Sequence, residues 1–240
     1  MNATSREVRD GRAFCAKRRR RFAPPILATA NIFFRLVRAP VRAIENNAEW
    51  QAWETESFRL LHGETSRCFP SGTRAVAVEE FDGINLTGTL DDGTLSIAMV
   101  RAVGAELRRA HEIRCEFFAS GWSHGDPHLG NFIFDGATGR ARIIDFELRH
   151  LRSLGERARR LDDLLGVLHD LLGRSPPARW VPSARGFVEG YGCRELTEAA
   201  IDQLAPPSGL AAIWWSIRTS WLRRDEAKRR IEELRQAAVS

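Results

Sequence analysis

WSHGDPHLGNFIF, residues 122 to 134, sets two histidines, an aspartate, an asparagine, two glycines and a proline directly before an apolar run. Asp126 precedes Pro127, which disfavours helical backbone at that point, and Gly125 and Gly130 permit dihedral angles closed to other residues. The segment therefore reads as a shaped loop that feeds a strand. "NFIF" and "RARIIDF" are two short strands separated by "DGATG", residues 135–139, a turn-forming composition. Counting equally from a turn near Ala137 and Thr138 puts Asn131 beside Asp145 or within about one cross-strand pair of it, roughly 5 to 8 Å away. Two hard oxygen donors at one end of a hairpin suit Mg²⁺, which takes few protein ligands and leaves its other positions to water and phosphates. Asp126, five positions before Asn131, stands apart from those ligands. A carboxylate held there can accept a proton from an attacking hydroxyl.

Outward from this loop the pattern is a small strand-containing part followed by a mostly helical one, an α+β arrangement. Residues 6–9 and 12–18 flank Asp10-Gly11, a dipeptide suited to a tight hairpin. Residues 26–41 are apolar but interrupted by Arg35 and Arg38 and closed by Pro40, which predicts a helix against a lobe or a membrane surface. Residues 47–62 carry Trp50, Trp53, Phe58 and Leu61 near helical spacing, with Gly63 as a stop. "TRAVAVEEF" alternates like a strand until Asp82-Gly83. From Ser96 to Ala119 the stripe Ile97, Val100, Val103, Leu107 and Ala110 predicts a helix, as do Leu161, Leu164, Leu165, Leu168 and Leu172 over 157–173. The remainder reads as helices broken at Pro176-Pro177 and Pro206-Pro207.

The bulk properties narrow the classes. Hydrophobic residues at 43% and charged residues at 28% describe an ordinary globular chain. Cys15, Cys68, Cys115 and Cys193 form no CxxC pair, so neither a zinc ribbon nor a disulfide framework is expected. With no apolar leader and no long unbroken apolar run, the expectation is a cytoplasmic protein, with peripheral contact at the inner membrane face allowed. The net charge of +5 is a mild bias concentrated in "KRRRR", residues 17–21. Such a run can grip phosphates, but arginine replaces lysine throughout, so a solvated strand end is favoured and nucleic acid is not an expected partner. Lys17 and Lys228 are the only lysines.

Asp-x-x-x-x-Asn followed by strand, turn, strand and Asp-Phe is the layout of a kinase catalytic loop and metal-binding segment. "HGDPHLGN" with "IIDFE" resembles the protein-kinase-like superfamily, especially the lipopolysaccharide core (Kdo and heptose) kinases and the aminoglycoside and choline phosphotransferases. The resemblance spans most of residues 6–172. It implies a bilobal fold with a reduced N-lobe, residues 1–81, and a mainly helical C-lobe, residues 82–240, with catalytic loop 124–131 and metal-binding segment 143–147. It implies Asp126 as catalytic base, His124 as the brace of the loop, and Asn131 and Asp145 as magnesium ligands. Lys17 would hold the ATP phosphates, paired with a helix glutamate: Glu54 fits best, with Glu49 and Glu56 open. Backbone groups near Glu79, Glu80 and Phe81 would meet adenine. Asp162 and Asp163, in "LDDLL", would cap or brace their helix, since helix N-termini favour carboxylates, and the resemblance implies that Asp162 also anchors the loop.

Departures from the family pattern bear on substrate. No GxGxxG precedes Lys17, and too little chain lies before it for a first strand and a glycine-rich phosphate loop. Glu147 stands where protein kinases have glycine after Asp-Phe, and residues 148–160 offer no Ala-Pro-Glu element. The expectation is ATP- and magnesium-dependent transfer to a hydroxyl, on a sugar or lipopolysaccharide-core glycan rather than a protein. Two other classes stay open: a degenerate kinase fold that binds nucleotide or an acidic partner without turnover, and a metal-dependent hydrolase using His124, Asp126 and His128. The oligomeric state is not legible.

Overall fold

The computed structural model describes residues 2–239. The fold is α+β, a small sheet part followed by a mostly helical part. Asp10 and Gly11 both take positive φ, 51° and 74°, the two-residue turn whose twist matches paired strands. On either side β1 (Asn2–Arg9) and β2 (Arg12–Arg19) pair antiparallel, so the first strand begins four residues earlier than its sequence predicts. At the end of β2 Lys17 and Arg19 of the basic run are buried, while Arg18 and the following Arg20 are exposed.

The chain then departs from expectation. α1 spans Ala23–Leu36, with prolines in its first turn where the missing N–H costs nothing, and stops five residues short of Val41. Arg38 turns the backbone with φ 57°, and Val41–Ala43 form β3, with Val41 and Ala43 buried and Arg42 out. Pro40 removes a helical donor, and the alternation after it has the period of a strand. α2 (Asn47–His62) matches its predicted bounds: the Asn46 side chain accepts the Glu49 N–H at 3.0 Å, and Gly63 at φ 83° ends it. β4 (Cys68–Pro70) and β5 (Ala75–Glu79) complete a sheet of order β1-β2-β5-β4, against which α2 packs.

β6 (Ile84–Asn85) and α3 (Leu86–Asp91) lead into α4 (Ile97–Glu112), which buries Val100, Val103, Leu107 and Ala110. α4 ends seven residues before Ala119 because Ile113 turns extended. β7 (Arg114–Cys115) and β8 (Ser120–Gly121) then pair around Ala119, at φ 55°. β9 (Phe132–Asp135) and β10 (Arg140–Ile143) form the predicted hairpin with Phe132 opposite Ile143, and β6 joins its other edge. β11 (Leu148–His150) pairs with β3. Five helices follow: α5 (Glu156–Arg174), α6 (Pro177–Tyr191), α7 (Arg194–Asp202), α8 (Ala211–Arg218) and α9 (Arg224–Val239). One apolar core runs from α2 and β5 through α4, the hairpin and α5 to α9, and a smaller one joins α1, β3, Leu148 and Trp214. Trp50, Trp53 and Trp215 are core residues, whereas Trp221 is 69% exposed.

Buried histidines give this core a pH dependence. His62 packs edge-on against both the Phe58 and the Phe81 ring, and burial holds it at about 4, against the raising effect of its bond to the Ile143 carbonyl. Burial likewise holds His169 at about 3. Both folded-state values lie below the unfolded value near 6.5, so the unfolded chain binds the extra protons. The stability is therefore full above about pH 6.5 and is lost as the pH falls toward 4, by about 1.4 kcal/mol per pH unit for each histidine. Urea denaturation from pH 7 to 4.5 should show this slope, and His62→Gln should remove the His62 share of it, about 1.4 kcal/mol per pH unit; an unchanged slope would contradict the assignment.

Candidate active site

The loop at 124–131 is held by its backbone. Asp163, on α5, accepts the N–H groups of His124 and Gly125 at 2.8 Å each and His111 Nε2 at 3.0 Å. Burial works to raise its carboxyl, and the facing His150, His111 and His124 outweigh that and lower it. Asp162 does something else: it pairs with Arg218 at 2.8 Å and His150 at 3.1 Å. Both aspartates sit within α5 rather than at its start, so neither caps the helix. The expectation that Asp162 anchors the loop is corrected by one residue. Asp163→Asn would turn an amide donor toward one of these donors, and a loss of about 3 to 5 kcal/mol is expected in chemical denaturation.

His124 is 1% exposed. Its Nδ1 accepts the Asp126 N–H at 3.1 Å, which leaves the proton on Nε2 to donate to the Ile144 carbonyl at 3.2 Å. Burial lowers its proton affinity, so it is neutral. It ties the loop to the hairpin, as a brace does. Both ring nitrogens are engaged, which argues against the His124, Asp126 and His128 metal cluster of a hydrolase. His128 Nδ1 in turn accepts the Gly130 N–H. Gly125 takes φ 92°, as the loop shape requires. Gly130 does not take positive φ; it is needed because a Cβ there would meet Thr87 and the His128 ring.

The Asp126 backbone is fully used: its carbonyl accepts from Asn131 Nδ2 at 2.8 Å and from the His128 N–H at 3.0 Å. Among the described residues its carboxylate has no hydrogen-bond partner, and it borders a cavity of about 560 Å³. Asn131, 6% exposed, spends its amide nitrogen on that carbonyl and keeps its side-chain oxygen as an unspent acceptor. Its carbonyl accepts the Ile144 N–H, so Asp145 is one residue beyond the Asn131–Ile144 pairing, within the predicted cross-strand step.

Asp145 takes φ 68°, a left-handed conformation unusual for a residue other than glycine. Its carboxylate meets Lys17 Nζ at 2.9 Å, and Lys17 also meets Glu54 at 2.5 Å. Glu54 is fully buried on α2, and its other oxygen accepts the Phe146 N–H at 3.1 Å. Of the three candidate glutamates, Glu54 is the one brought to Lys17; Glu49 pairs with Arg42 and Arg149. Burial would lower Lys17, but the two carboxylates hold it raised and charged. Burial raises Glu54 despite Lys17, whereas for Asp145 the lysine outweighs burial and the carboxyl is lowered. Lys17 thus joins strand, helix and hairpin in one charged contact.

Just after β5 the Glu80 N–H donates to the Ala13 carbonyl at 2.9 Å, its side chain pairs with Arg6, and the Phe81 ring stacks on Phe58 at 5.4 Å. The Glu80 amide is therefore not the group left for adenine. A cavity of about 560 Å³ lies beside Glu79, Glu80 and Phe81.

No protein-family model matches this sequence, and no curated protein matches it. Among solved structures, an ethanolamine kinase of Plasmodium vivax is similar at 10% identity and a TM-score of 0.46, over 97% of this chain and 78% of that one. Vaccinia-related kinase 3 is similar at 14% identity and a TM-score of 0.39, over 98% and 86%. At these levels the functional reading rests on the cleft residues themselves.

Five contributing residues were not legible as such in the sequence. Glu147 is drawn into the Lys17, Glu54 and Asp145 cluster, and burial and Asp145 push its carboxyl up to about 7; Asn2 donates to it from β1. Asp163 carried the signal of a buried acid on a helix stripe, but its neighbour carried the same one. Phe33, Phe34 and Trp214, which wall the cavity at Asp126, come from helices distant in sequence. His150, Asp162 and Asp163 also offer three ligand atoms within 4.8 Å of one another. Each is already spent, on Ser123, Arg218 and the loop amides, so the group reads as a brace.

Proposed function

We propose that the chain is a magnesium-dependent phosphotransferase that moves the γ-phosphoryl of ATP to a hydroxyl, on a sugar or glycan in preference to a protein. The observation that carries this reading is Lys17 bonded to both Glu54 and Asp145 at the end of the hairpin that also holds Asn131, one loop away from an Asp126 carboxylate that has no hydrogen-bond partner among the described residues. Asn131 and Asp145 supply hard oxygen donors at a charged cleft, a donor set that fits Mg²⁺. Bound there, magnesium would neutralise charge on the transferring phosphates. Lys17, kept charged by Glu54, positions the α- and β-phosphates as a fixed cation. Asp126 accepts the proton of the attacking hydroxyl, and the loop bonds to Asp163 and His124 keep that carboxylate in place. Catalysis is then mainly positioning and electrostatics.

The acceptor preference is supported by the cavity beside Asp126, where the Phe33, Phe34 and Trp214 rings are joined by polar side chains that include His128, Asp170 and Ser220, a mixed lining that suits a ring with apolar faces and hydroxyl edges. The test is transfer of labelled γ-phosphate from ATP, with magnesium, to sugar, amphiphile and protein acceptors. Transfer to sugar-bearing acceptors is expected. Transfer to protein alone would contradict the acceptor, and nucleotide binding without any transfer would favour a degenerate binding protein.

A further inference from the structure

Among the described residues eleven large apolar side chains stand in solvent, and eight of them lie on two helices, with their flanks, that touch through Phe34 and Trp214. On α1 and its cap these are Phe22, Ile26, Ile32 and Leu36, each at least 52% exposed. With Phe33 they share one side at helical spacing, away from the buried Ala23, Leu27, Asn31 and Phe34. On α8 and its flanks they are Leu210, Ile213, Ile217 and Trp221, spaced three and four apart. Phe33 and Ile217 also line the cavity at Asp126, so both stripes border the same opening. Single exposed apolar residues are ordinary, but a cluster beside a cleft marks a surface that meets something apolar.

Charge decides what that is. Between Asp10 and Glu45 there is no acidic residue and there are nine basic ones; between Asp202 and Asp225 there is again none, with Arg223 and Arg224 exposed and Arg218 spent on Asp162. Arg20, Arg21, Arg35 and Arg38, at the ends of α1, are exposed and form no ion pair among the described residues. A second copy of the chain would set this single-sign face against itself. An apolar stripe rimmed by unpaired arginines matches the boundary between acyl chains and anionic headgroups. Among the described residues no helix is long and apolar enough to cross a membrane, and the contact inferred is one of lying on the surface.

We propose that the α1 and α8 stripes dock on an anionic lipid bilayer, and that the acceptor hydroxyl is carried on an amphiphile whose headgroup enters the Asp126 cavity from that surface. The second half rests on the phosphotransferase reading above; the first does not. The stripes seat at the headgroup level and turn the cavity mouth toward the lipid. A lipid-borne hydroxyl then reaches Asp126 without leaving the interface.

The experiment is sedimentation with phosphatidylcholine vesicles, with and without phosphatidylglycerol, for the parent and for the double variant Ile26→Glu/Ile213→Glu. The parent is expected to bind the anionic vesicles and to release as salt rises. The double variant should bind at least about tenfold more weakly, and Arg20→Glu/Arg21→Glu should act in the same direction. Both variants alter exposed residues, so their melting temperature and their stabilisation by magnesium and ATP should match the parent. A parent that stays in the supernatant, or a double variant that binds as well, overturns the docking surface. A concentration-dependent dimer abolished by the same substitutions assigns the face to a second copy and overturns it as well. Vesicle binding without any stabilisation by magnesium and ATP would keep the surface and remove the kinase reading, and the converse would remove the surface alone.

Discussion

Asp126→Asn is expected to lower phosphoryl transfer by about 10²- to 10⁴-fold while nucleotide binding with magnesium persists, because it removes a proton acceptor and little else. The position supports so clean a result. The Asp126 N–H is bonded to His124, its carbonyl to Asn131 and His128, and no bond to the side chain holds the loop in shape. An asparagine keeps the size and the backbone bonds and loses the basicity. The check is a single-turnover rate with saturating nucleotide, alongside the melting temperature. A rate within a few-fold of the parent would mean that another group takes the proton. A large fall in stability would mean that the carboxylate is structural.

Lys17→Met is the second large effect, and it acts on both fold and nucleotide. Breaking a buried ion pair by removing one partner costs about 3 to 5 kcal/mol, since a carboxylate is left uncompensated. Glu54 limits the loss: its proton affinity is already raised by burial, so it can take up a proton when the lysine is gone. Adding Glu54→Gln should recover part of the stability, because the double variant holds no orphan charge there. It should not recover nucleotide affinity, since the cation proposed to face the phosphates is still missing. Denaturation curves and ATP titrations on the two single variants and the double variant separate these. If the double variant binds ATP like the parent, Lys17 is only part of the basic face.

Local chemistry explains which parts were legible. The hairpin at 132–143 was readable because a symmetric turn fixes register, and register alone brings Asn131 near Asp145. α2 was readable to the residue because its cap and its terminating glycine lie within its own sequence. β3 and β11 were not, because each is three residues long and is defined by a partner about a hundred residues away. The left-handed backbone of Asp145 had no local sign either: aspartate tolerates that conformation but does not demand it. The choice between Asp162 and Asp163 needed the rotation of α5 against the loop, which adjacent identical residues cannot encode. Glu147 read as a lost glycine, and only packing shows that it joins the acidic side of the Lys17 cluster. The end of α1 was misplaced because apolar character continues through Val41, while the element that buries it changes from helix to strand.

The central claim is a nucleotide site built on Lys17, Glu54, Asn131 and Asp145. The direct measurement is the thermal shift of the parent and of Asp145→Ala with ATP, with magnesium, and with both. The account predicts a rise in melting temperature for the parent only when both are present, and no such rise in the variant, whose melting temperature without ligand is read alongside because the substitution removes one of the two carboxylates on Lys17 and sets alanine at φ 68°. A parent that does not respond, or a variant that responds equally, would contradict it.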